Sequence, residues 1–137
     1  MTTARDLMTA HAECVGETDN LLTAAKKMKD LNVGALPICG EDHRLKGMLT
    51  DRDIVMCLAE GNDVGSTTAG DLAQGEAITI GADDSAEETL RTMMRYQVRR
   101  LPVIDGHDLV GIVAQADVAR ELPHDVVGRV LAEVSED

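Results

Sequence analysis

The chain has 137 residues, a net charge of −12 and a pI near 4.6; a field of that sign repels a phosphate backbone, which excludes nucleic acid as a partner. One Tyr and no Phe or Trp leave no stacking platforms for bases, so any planar ligand must lie between aliphatic side chains. No apolar run approaches the roughly 18 residues of a membrane span, and "MTTARDLMTAHAE" lacks a long apolar signal region, so a cytoplasmic protein with no membrane partner is expected.

In chain order, "ARDLM" predicts a short leader helix, followed by an extended piece ending at Val15. Leu21, Ala24, Ala25, Met28 and Leu31 recur at helical spacing, which predicts a helix from about Asn20 to Leu31. The apolar runs "ALPI" and "RLKGML" read as strands covered on both faces, and a second helix is expected from about Asp51. "EGNDVGSTTAG", residues 60–70, has the composition of a linker. A second leader, "AGDLA", then precedes an extended piece at Ile80 and a helix from Ala86 to Tyr96, where Ser85 and Glu88 suit a capping box. Strands "LPVI" and "LVGIV" and a helix from Gln115 follow. After Pro123, a helix carries Val126, Val127, Val130, Leu131 and Val134 on one face, for packing on the body or on a second subunit.

The order repeats itself. Leu36-Pro37 aligns with Leu101-Pro102 at an offset of 65, and after one residue drops from the turn near His43, Gly47 aligns with Gly111 and Asp53 with Asp117 at 64. The chain is a tandem repeat, divided at 1–66 and 67–137, each half reading β-α-β-β-α. No Ser-His-Asp arrangement, Gly-rich phosphate loop or paired carboxylates in an apolar setting appears, so no enzyme, catalytic residue or required cofactor is expected. His11, His43, His107 and His124 have no metal-ligand spacing, so no metal site is expected, and the seven methionines read as core filler.

A tandem repeat with a "DLM"-type leader, "LPI/LPV" strands and a G-x-x-T-x-x-D turn ("GMLTDRD") resembles the paired CBS domain, or Bateman module, over essentially the whole chain. The stretches "ARDLMTAHAECVGETD", "GALPICGEDHRLKGMLTDRDIV" and "VRRLPVI" look most like the stand-alone, hypoxic stress-response type of that family. The resemblance implies an α/β (α+β) fold in which the two repeats, as one module, relate by a pseudo-twofold axis, sheets facing and helices outside. It also implies a homodimer of modules, an adenosyl ligand of AMP or ATP type in the cleft between repeats, and regulation through an unknown protein partner.

Carried onto this sequence, the family motif makes Asp53 a ribose acceptor and Thr50 a phosphate contact, with Val15 and Ile38 among the ligand-binding positions. The residues allow another reading: Thr50 as N-cap and Asp53 in the first turn simply satisfy orphan amides. In the second repeat Asp117 remains but Ala114 replaces Thr50, which puts phosphate binding there in doubt. Arg99 and Arg100 are either phosphate contacts or partners of the many carboxylates. In the family fold Cys14 and Cys39 lie on neighbouring strands, so they form either a disulfide or two buried free thiols; Cys57 has no partner. Two functions follow: a sensor of an adenosyl ligand, or a ligand-silent interaction protein held by its core and the disulfide.

Overall fold

The computed structural model describes residues 1–10, 13–73 and 77–135. Its elements are α1 (Ala4–Leu7), β1 (Thr9–Ala10), β2 (Val15–Gly16), α2 (Leu21–Leu31), β3 (Ala35–Cys39), β4 (Leu45–Thr50), α3 (Asp51–Ala59), α4 (Ala69–Leu72), β5 (Ile80–Gly81), α5 (Ala86–Tyr96), β6 (Arg100–Asp105), β7 (Asp108–Ala114), α6 (Gln115–Glu121) and α7 (His124–Ser135). The predicted elements are present, within a residue or two at their ends. His11 lies outside the described residues.

The chain folds as two compact units, Glu13–Ala77 and Met1–Ala12 with Ile78–Asp137. In the first, the sheet order is β2-β3-β4. Strand β2 runs parallel to β3, pairing Val15 with Ile38, and β3 is antiparallel to β4 with a bulge between Ile38 and Cys39. In the second, the order is β1-β7-β6-β5, with the matching bulge between Val103 and Ile104. Helices cover each sheet around an aliphatic core: Val15, Leu21, Ala24, Leu36, Ile38 and Leu49 in one, Leu90, Met93, Leu101, Val103, Val113 and Val130 in the other.

The leaders do not stay with the repeats that encode them. Ala4 N–H donates to Asp84 O, Arg5 N–H to Ala82 O and Ala86 N–H to Thr2 O, at 2.9, 2.9 and 3.0 Å. The equivalents are Ala69 to Asp19 O, Gly70 to Glu17 O and Leu21 to Thr67 O, at 2.8, 2.8 and 2.9 Å. Thus α1 and β1 complete the unit built from the second repeat, and α4 the unit built from the first. Four-residue helices are too short to persist unaided, so each depends on the unit it caps. The fully buried Ala4 and Ala69 anchor them.

Two local expectations change. The Ser85 hydroxyl accepts from Glu88 N–H at 3.1 Å, but the Glu88 carboxylate turns to Arg91 at 2.7 Å, so only half the capping box forms. Among the methionines, Met28 and Met93 are core, whereas Met56 remains 48% exposed. Helix α7 lays its apolar face on α5 of its own unit, burying Val130 completely.

Candidate functional site

The turn from β4 into α3 brings Thr50 and Asp53 together. Thr50 leaves the strand with φ −114° and ψ 161°, the extended geometry of an N-cap. Its N–H donates to Asp53 Oδ2 at 2.9 Å, and Asp53 N–H donates to Thr50 Oγ1 at 3.2 Å, a reciprocal capping box. The same T-x-x-D pattern starts both leader helices. Thr3 N–H donates to Asp6 at 2.9 Å and Thr68 N–H to Asp71 at 3.0 Å. Those bonds hold the Asp6 and Asp71 carboxyls below the usual carboxylate range. Capping is therefore what T-x-x-D does throughout this chain, and Thr50 belongs to that class.

Asp53 has more around it. It is half-buried and lines a cavity of about 330 Å³, with Met48, Met56, Cys57, Glu60, Asn62 and Leu72.

 One carboxylate oxygen of Asp53 is engaged by the Thr50 amide, and an ionised carboxylate has further lone pairs to offer a hydroxyl. The charged residues lining the cavity, Asp53 and Glu60, are both acidic. Of its walls, Leu72 comes from the exchanged leader α4, and Glu60 and Asn62 follow α3. Sequence reasoning singled out only Asp53 among these walls; Leu72 joins them through the leader exchange.

The second repeat departs from this arrangement. Ala114 stands at the N-cap of α6 and offers no side-chain cap, while Asp117 is paired with Arg120. Arg100 lies on β6 opposite Ala114. Arg99 precedes it, its carbonyl accepting from Gln115 N–H at 2.8 Å. Two substitutions test the asymmetry. Thr50→Ala is expected to cost about 1 kcal/mol and Ala114→Thr to add up to about 1 kcal/mol, read from urea denaturation midpoints.

Val15 and Ile38 face each other across β2 and β3 and are both fully buried in the core. Their neighbours Gly16 and Cys39 line a separate cavity of about 370 Å³, together with Glu17, Asp42 and Lys46. Cys14, Cys39 and Cys57 are unbonded. Burial, together with a hydrogen bond to the adjacent Cys14, pushes the Cys39 thiol from an ordinary 9.0 to about 12. Lys27 Nζ donates to the Cys14 carbonyl at 2.9 Å and pairs with Glu13 at 3.3 Å, tying α2 to the start of β2.

Comparison with known proteins places this architecture. A model of the CBS domain matches residues 4–60 and 69–124. The chain belongs to the CBS domain family. Hypoxic response protein 1 of Mycobacterium tuberculosis is 53% identical over 128 residues, covering 93% of this chain and 90% of the relative. A crystal structure of Hypoxic Response Protein I with two coordinated zinc ions superposes with a TM-score of 0.83 at 54% identity, covering 89% of this chain and 100% of that one. The CBS domain pair of protein MJ0100, in complex with 5-methylthioadenosine and S-adenosyl-L-methionine, superposes with a TM-score of 0.73 at 26% identity, covering 88% and 95%. Among the described residues of this CBS pair, no group of three or more His, Cys, Asp or Glu side chains is arranged to hold a metal ion. No helix among them is long and apolar enough to cross a membrane.

Proposed function

We propose that this CBS pair is a stand-alone regulatory protein that binds an adenosyl ligand through Asp53 and passes the signal to a protein partner, with no catalysis of its own. The observation that carries this reading is the Asp53 carboxylate: it lines a cavity while only part of its hydrogen-bonding capacity serves the helix cap. A vicinal diol suits such an acceptor. Because the charged lining is acidic, the reading favours S-adenosylmethionine or an uncharged nucleoside over ATP. Arg100 and Asp117 would serve a second, weaker site. The resemblance to the hypoxic response relative supports a stress role.

Self-association belongs to the same proposal. Val55, Met56 and Leu58 on α3 are 60, 48 and 56% exposed on an otherwise acidic surface, which supports a homodimer through that helix.

Calorimetry with S-adenosylmethionine, 5-methylthioadenosine, AMP, ATP and NADH tests the ligand. Binding dominated by the stronger site is expected, weakened there about 10- to 100-fold in Asp53→Ala, the value of hydrogen bonds to a charged group. Circular dichroism checks that the variant is folded. Absence of heat or thermal stabilisation with every ligand at millimolar concentration overturns the sensor reading. It would favour the second reading, a ligand-silent interaction protein, which the uncapped α6 and the engaged Asp117 support.

A further inference from the structure

Helix α7 begins at residue 124, the last one matched by the CBS family, and runs on beyond it. It packs beside α5 in parallel, because the cross-links Glu87–Arg129 and Arg91–Glu133 advance in the same direction along both helices. Arg91 is the hub, donating to Glu87, Glu88 and Glu133 at 3.0, 2.7 and 2.8 Å. Parallel packing brings both C-terminal ends to one place. There a cavity of about 510 Å³ opens, with the polar Gln97, Gln115 and Ser135 among its walls beside Met94, Leu131 and Val134.

Among the described residues, Arg99 is the one charged residue lining it. Its guanidinium makes no ion pair or hydrogen bond among the described residues. In a chain of net charge −12, a cation without a carboxylate among the described residues is unusual. The bond from Gln115 N–H to the Arg99 carbonyl fixes its backbone at the edge of α6. The volume falls within the range of small-molecule sites, roughly 300–1,000 Å³, where apolar walls supply affinity and a few polar groups orientation.

We propose that the α5–α7 cavity binds an amphipathic anion, a short aliphatic chain with a single carboxylate or phosphate head, with Arg99 pairing the head and Met94, Leu131 and Val134 holding the chain. The site is independent of Asp53, and it assigns Arg99 to this cavity rather than to a nucleotide phosphate.

Methyl-labelled methionine NMR tests it in the full chain, with sodium octanoate, octyl phosphate and octan-1-ol as probes. The Met93 and Met94 methyl signals are expected to shift saturably with at least one anionic probe, which binds at least tenfold more tightly than the alcohol. Whichever anion binds better identifies the head group. Arg99→Gln, at an exposed position, is expected to abolish the tenfold preference without changing the thermal midpoint, and Asp53→Ala to leave it intact. The proposal is overturned if neither anion shifts both methyl signals, if the alcohol binds equally well, or if Arg99→Gln keeps the preference.

Discussion

Oxidation of Cys14 and Cys39 to a disulfide is expected to stabilise the protein by about 3–4 kcal/mol, the chain-entropy value for a loop of roughly 25 residues. For a domain of this size that raises the thermal midpoint by roughly 10 °C. The register prepares the pair: Gly16 is opposite Cys39 on parallel strands, and Cys14, two residues earlier, faces the same side. Exchange with oxidised glutathione supplies the oxidant: one thiolate breaks its disulfide and releases one reduced glutathione, the second thiol displaces the other, and the two protons leave on the glutathione thiols. Cys14 is the expected attacking thiol, because Cys39 is held protonated up to about pH 12.

That same shift predicts how the reduced protein responds to alkali. The folded-state value, about 12, exceeds the ordinary 9.0, so the unfolded chain releases this proton first. The stabilising contribution is full below pH 9 and is lost as pH rises towards 12. The oxidised protein and Cys39→Ser are expected to lack that alkaline loss. Denaturation midpoints from pH 8 to 11 measure it. Three free thiols, counted in unfolded protein after oxidant treatment, would falsify the disulfide.

Leu49→Ala is expected to cost about 2–5 kcal/mol, the range for emptying a well-packed core site. Leu49 is fully buried on β4, opposite Leu36. The core around it is wholly aliphatic, with no ring to swing into the space. Urea denaturation should show a lower midpoint, and Leu49→Met should recover most of it, since volume-conserving swaps cost under about 1.5 kcal/mol. A loss below 1 kcal/mol for the alanine variant would mean that the core collapses around the gap.

Much of this was readable from residues. Helix α2 followed from five apolar residues at helical spacing, and α5 began and ended where Ser85 and Tyr96 implied. "GMLTDRD" was legible as a cap because Thr50 and Asp53 are only three residues apart, so their hydrogen bonds are local. The half-made box at α5 was not, because Arg91, one turn on, draws the Glu88 carboxylate away from Ser85 while also pairing with Glu133 of α7. Arg99 looked like a neighbour of Arg100 in sequence, yet it lines the α5–α7 cavity, and that depends on where the last helix lies.

The amino-acid sequence by itself determined the repeat, the secondary elements and the aliphatic character of the cores, since each depends on spacing or composition within a few turns of chain. Tertiary structure decided which unit each leader completes. Ala4 and Ala69 offer the same amide to the same kind of carbonyl, Asp84 O and Asp19 O, so local chemistry cannot distinguish the two pairings. Closure of the chain makes the choice, and it carries Leu72 to the cavity beside Asp53.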